Sequence, residues 1–145
     1  MNDKYNLIDT KGNLLWKGKE WFDWMGDFED GFARIKLNDK WNFIDANGNV
    51  LWKGKEWFDW LGNFKDDFAS VQLNDKWNFI GTNGNLLWKG EWFDDSYSFE
   101  NGFAGVQLNG KFYKLDTNGK LHNMNESRNS NRIKSIIREE IYKIL

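Results

Sequence analysis

Along short segments of this chain, apolar and polar side chains alternate with the two-residue period of half-buried strands. In "WNFID", residues 41–45, Trp41 and Phe43 share one side and Asn42 and Ile44 the other. "ANGN" follows, and its Asn-Gly dipeptide suits the positive φ angles of a two-residue hairpin turn. With "VLWK" returning, residues 41–53 are predicted to form one hairpin. Residues 55–64, "KEWFDWLGNF", are predicted to extend with a bend at Gly62. "FASVQLN", residues 68–74, alternates Ala69, Val71 and Leu73 with positions that differ in its counterparts "FARIKLN" and "FAGVQLN". Arg34, Ser70 and Gly105 correspond, as do Lys36, Gln72 and Gln107, so one face is expected to pack and the other to be solvated.

The same order of segments recurs. Units of 36, 36 and 35 residues begin at Asp3, Asp39 and Asp75, and a fourth, from Gly110, stops near Leu121. The one deletion turns "WKGKEW" into "WKGEW" after Lys89. A unit of this size does not bury its own apolar face, so copies must stack and share a core. The expected fold is all-β: three and a fraction tandem repeats of short antiparallel strands over residues 1–121, as an open solenoid or a partial propeller. Trp16, Trp52 and Trp88 are equivalent, as are Trp21, Trp57 and Trp92, and both sets are assigned to the core. Trp24 and Trp60 give way to Asp95 in the third unit, which marks them as candidate exposed rings.

Beyond residue 121 the period changes. Residues 122–131 read as a polar linker, and residues 132–145 as an amphipathic helix. Ile133, Ile136, Ile137, Ile141, Ile144 and Leu145 fall on one helical stripe, with Asn131 as N-cap and Glu139 four residues before Lys143. So short a helix needs a surface to dock on: its own repeats, another copy, or a partner protein.

Composition narrows the chemistry. There is no cysteine and one histidine, so disulfides, thiolate sites and multi-histidine zinc sites are excluded, and no metal or cofactor is expected. His122 stands where the full units have Leu15, Leu51 and Leu87, and is expected to be an exposed end-of-repeat residue. "DANGN" is not a calcium loop of the helix-loop-helix kind, because counting from Asp45 puts Val50 where glycine is required. Glu20, Glu56 and Glu91 recur with Asp23, Asp59 and Asp94, once per unit, a triplication that a single acid–base site does not need; solvation or backbone bonding explains them better. Residues 1–121 hold 15 basic against 19 acidic side chains, which disfavours nucleic acid as a partner. Neither a cleaved signal nor a membrane span is read in the sequence, so a soluble protein, cytoplasmic or virion-associated, is expected.

"KWNFID", the turn "NGN", the "WFD" block and "FASVQLN" leading into "DKW" together resemble the WG-type repeat, a bacterial and viral β repeat. The resemblance covers residues 3 to about 121. Asn42 and Asn78 stand in place of the namesake glycine, and the family's prolines are absent. The family implies a β-repeat scaffold used for binding and no common reaction. The ending "IIREEI" is similar to the ends of tailed-bacteriophage proteins. The expected function is a non-enzymatic interaction or structural module that engages a protein partner or self-assembles, tuned by Arg34, Lys36, Ser70 and Gln72. The alternative is a glycan or small-ligand binder using Trp24 and Trp60 beside Asp23 and Asp59, since exposed tryptophan stacks on sugars and encloses cations. The hairpin repeats bear a likeness to choline- and glucan-binding wall modules.

Overall fold

The closing strand of each repeat pairs with the opening strand of the next, so every sheet straddles a boundary between units. The computed structural model describes residues 3–124, and these are strand, turn and loop throughout. Strands β1 (Trp24–Met25), β2 (Phe32–Leu37) and β3 (Lys40–Asp45) form a first antiparallel sheet in that order. A second contains β4 (Trp60–Lys65), β5 (Phe68–Leu73) and β6 (Lys76–Gly81). The third holds β7 (Asp95–Ser96), β8 (Phe103–Leu108), β9 (Lys111–Asp116) and β10 (Leu121–Asn123). Contacts between sheets run from β3 to β4 and from β6 to β7. The all-β repeat architecture expected from the sequence is the one observed. β10 carries the sheet into His122 and Asn123, which had read as linker; the predicted helix over 132–145 lies outside the described residues.

Turn chemistry explains why the sheets sit where they do. Asn38 and Asp39 both have positive φ, 55° and 64°, as do Asn74 and Asp75 at 56° and 65°: these are the primed two-residue turns that suit twisted hairpins. Asn and Asp tolerate the left-handed region better than other side-chain-bearing residues. The Asn-Gly dipeptide of residues 47–48 does something else. Only Gly48 is left-handed there, and the loop closes through Gly48 N–H to Asp45 O at 3.1 Å and Asp45 N–H to Asn49 O at 2.9 Å. The predicted hairpin is thus joined by a three-residue loop, and "VLWK" contributes a single bridge, Ile44 to Val50, rather than a strand. The Asp45 carboxylate accepts from the Asn47 and Asn49 amides, each at 2.9 Å, so it organises the loop.

The inward face of each closing strand is packed as its alternation predicts: Ala33 and Ile35, Ala69 and Val71, Ala104 and Val106 are all buried. β3 departs from simple alternation, because Asn42, Phe43 and Ile44 are all buried. Asn42 is held by its own side chain: Nδ2 donates to Trp52 O at 3.0 Å, and Oδ1 accepts from Trp52 N–H at 3.0 Å and Phe43 N–H at 2.8 Å. A buried amide so satisfied stands in for the missing ladder, and Asn78 repeats the arrangement with Trp88. The equivalent tryptophans Trp16, Trp52 and Trp88 lie over Phe22, Phe58 and Phe93 with ring centroids 5.0–5.3 Å apart. Each indole N–H donates to the carbonyl of Glu20, Glu56 or Glu91, and the bond survives the deletion in the third unit at 2.8 Å. The glycine of "WKG" is required because the indole folds back onto it: a β-carbon at Gly54 would lie 2.1 Å from Trp52.

Candidate interaction surface

On the outward side of the first sheet, register places Trp24, Lys36 and Trp41 in one row across β1, β2 and β3. The second sheet repeats the row as Trp60, Gln72 and Trp77, and the third as Asp95, Gln107 and Phe112. The two tryptophans of a row lean together over the middle strand. Trp24 and Trp41 meet edge to face with centroids 5.5 Å apart, and Trp60 and Trp77 do so at 5.7 Å. Trp24 and Trp60 are 40% and 43% exposed, so both sequence-selected rings face solvent. The sequence alone does not mark their partners Trp41 and Trp77 as site residues. The clue was their odd-numbered place in "KWNF", on the same side as Phe43 and Phe79, but register across three strands is needed to bring them to Trp24 and Trp60.

The rows differ in what fills them. Arg34 Cζ sits 5.8 Å from the Trp24 ring and 5.9 Å from the Trp41 ring, and Lys36 Nζ lies 5.4 Å from Trp41. Lys36 is also 3.8 Å from Asp39 in the turn. In the second sheet these two places belong to Ser70 and Gln72. Beside the first row, a cavity of about 340 Å³ opens between β2 and β4, lined by Asp27, Glu29, Asp30, Arg34 and Phe64 among others.

Asp23 and Asp59 are held in ion pairs and turn bonds, and Asp23 lines a second cavity together with Trp24, Lys36 and Trp41. Asp59 Oδ1 takes a 2.5 Å bond from Lys40, and its Oδ2 accepts the Asn74 amide at 2.7 Å, clipping the start of the unit to its closing turn. Asp23 does the same with Lys4 and the Asn38 amide, and Asp94 with Lys76 and the Asn109 amide. The lysine bond first, then the turn amide, holds each of these carboxyls below its ordinary value. Lys40 and Lys76 are raised in turn, chiefly by Asp59 and Asp94.

The two ends of the stack differ. Trp57 packs edge-on to Trp16 at 6.4 Å, within the core built around Phe22 and Ile35, and Trp92 lies against the next core. Trp21, assigned to the core with them, is 42% exposed, because among the described residues no earlier unit covers it. Phe28 is 42% exposed as well, whereas its counterparts Phe64 and Phe99 pack on Phe32 and Phe68 of the preceding unit at 5.4 and 5.1 Å. At the far end, Lys114 replaces Phe43 and Phe79 and sits 5.3 Å over Phe103. His122 is half-buried rather than exposed: its ring stands edge-on to Phe103 at 5.8 Å and its Nε2 is 2.8 Å from Asp116. Burial works to raise the Asp116 carboxyl, but the His122 bond and the Lys120 and Asn118 amides outweigh it and hold it low.

Among the described residues no cluster of three or more His, Cys, Asp or Glu is arranged to hold a metal, and no helix is long and apolar enough to cross a membrane. The stripe from Ile133 to Leu145 lies outside the described residues.

No curated protein matches the chain. The model of the WG containing repeat matches three times, at residues 22–41, 43–77 and 79–112. Each match ends at Trp41, Trp77 or Phe112, the residue that completes an outward row, so the repeat of the family is the repeat seen in the sheets. The chain belongs to the WG containing repeat family.

Proposed function

We propose that this protein is a non-enzymatic interaction module whose repeat scaffold engages a protein partner or further copies of the chain. The reading is carried by the uncovered aromatic end of the first unit, where Trp21 and Phe28 face solvent while their counterparts Trp57, Trp92, Phe64 and Phe99 pack on the unit before them. Large rings left open on a surface otherwise built from stacked copies favour association, since each ring encloses on the order of 150 to 250 Å² when covered. The helix predicted over residues 132–145 would supply a second docking element through Ile136 and Ile137.

The test is affinity capture and sedimentation velocity with the full chain, its Trp21→Arg/Phe28→Asp variant, and its Ile136→Asp/Ile137→Asp variant. Association with a defined protein or with itself, lost on changing Trp21 and Phe28, supports docking through the open end. Loss only with the isoleucine variant moves docking to the tail. Association in none of the three removes the reading. A second reading, a glycan or small-ligand binder, is favoured by the exposure of Trp24 and Trp60. Asp23 and Asp59, committed to Lys4 and Lys40, weigh against their serving it as acceptors.

A further inference from the structure

We infer that the Trp60–Trp77 pair of the second sheet is a receptor for an arginine side chain of a partner protein. Two sheets of one chain present the same tryptophan pair, at centroid separations of 5.5 and 5.7 Å and interplanar angles of 63° and 69°. In the first sheet the pair is filled from within, by a guanidinium that reaches both rings at 5.8 and 5.9 Å. The lysine of that row reaches one ring, Trp41, so the guanidinium is the group that spans the pair. In the second sheet Arg34 becomes Ser70 and Lys36 becomes Gln72, which takes two positive charges off the face around the rings, and the rings still meet edge to face.

What remains is preorganised for a cation that none of the described residues supplies. A ring pair that holds its geometry unfilled spends no ordering entropy on receiving a ligand. The indole faces attract a guanidinium more strongly than any other aromatic does, and the Gln72 amide in the row and the Ser70 hydroxyl two residues before it add acceptors on the same face. Lys36 lies 3.8 Å from the Asp39 carboxylate, while the equivalent Asp75 has Gln72 three residues before it in place of that lysine and interacts with its neighbour Lys76. Over residues 1–121 the 19 acidic side chains outnumber the 15 basic ones, which favours a basic partner segment. The proposal rests on the interaction reading, since the arginine belongs to a protein, but it concerns a sheet face and not the open end.

The test is a titration of the full chain, labelled with 15N, followed at the indole N–H resonances. The probe is an acetylated Gly-Arg-Gly-Arg-Gly amide, with a twin in which citrulline, neutral and of similar shape, replaces arginine. The arginine peptide is expected to shift the Trp60 and Trp77 indoles, and the citrulline peptide to leave them in place. Ser70→Arg, which rebuilds the first sheet's filling, should weaken the response about tenfold. Arg34→Ser should bring the Trp24 and Trp41 indoles into the response. Equal shifts from the two peptides, or an undiminished response in Ser70→Arg, overturn the proposal. So does a shift by a β-glucan tetrasaccharide with none by the arginine peptide, which would make the pair a sugar platform. Trp21→Arg serves as a separating control: an unchanged peptide response there keeps this site distinct from the open end, whichever way the capture experiment falls.

Discussion

Gly12 and Gly48 occupy the same place in successive units and have nearly the same backbone, with φ of +88° and +87°. Their surroundings are different. A β-carbon added at Gly12 would meet nothing within 4 Å, whereas at Gly48 it would lie 2.4 Å from the carbonyl oxygen of Leu15, in the unit before. Gly84 and Gly119 meet Leu51 and Leu87 in the same way, each at 2.7 Å. The turn of every later unit is therefore seated on the backbone of its predecessor. The same contrast separates Trp21 from Trp57, which packs on Trp16, and Phe28 from Phe64, which packs on Phe32. Identical residues become core or surface according to whether a copy stands behind them, which is how a one-dimensional stack makes its ends sticky.

The glycine pair offers the largest expected difference. Gly48→Ala combines a disfavoured left-handed alanine with a backbone collision and should cost about 4 kcal/mol in urea unfolding, or split the transition into separate steps. Gly12→Ala carries the conformational term alone and should cost about 1 kcal/mol. Equal losses at the two sites would mean that the units do not stack as described.

A smaller difference is expected for the tryptophans. Trp57→Ala opens a hole beside Trp16 in the first core and should cost about 3 kcal/mol. Trp21→Ala removes a ring that covers little and should cost less than about 1 kcal/mol in the isolated chain. Its cost should rise once the end is occupied, because a partner that binds only the folded state adds its own stabilisation. Thermal melts of both variants, repeated at rising protein concentration, check the two statements together.

How much of this was legible beforehand follows from which contacts are local. Strand alternation and the 36-residue period are written in neighbouring residues, so Ala69 and Val71 could be placed on the packed face directly. The turns are harder to place from sequence, because Asn47-Gly48 carries the stronger hairpin signature, whereas Asn38-Asp39 and Asn74-Asp75, which make the primed turns, lack glycine. The row partners Trp41 and Trp77 needed register over three strands, which period alone does not give. Equivalence in sequence places Trp21 in the core with Trp57 and Trp92, but equivalence in sequence is equivalence in burial only inside a stack. His122 reads as exposed in the sequence because Phe103 and Asp116, partners across β8 and β9, meet its ring only when β10 folds back on β9.

The carboxylate clips give the smallest effect, and for them the comparison should fail. Lys4, Asp23 and Asn38 lie within the first unit, as Lys40, Asp59 and Asn74 lie within the second, so no neighbour is needed to form either clip. Both carboxyls are held below their ordinary value of 3.8, first by the lysine and then by the turn amide. A folded-state value below the unfolded one means that the clip stabilises fully above the ordinary carboxyl range. That contribution is then lost as pH falls below about 4 toward the folded value. Asp23→Asn and Asp59→Asn should therefore flatten the acid limb of a stability-versus-pH curve to a similar, small extent, and added salt should shrink the difference from the unmodified chain, since both pairs face solvent. If Asp59→Asn alone flattened the limb, the second clip would depend on its neighbours, and burial between units would reach further out than the glycines and tryptophans imply.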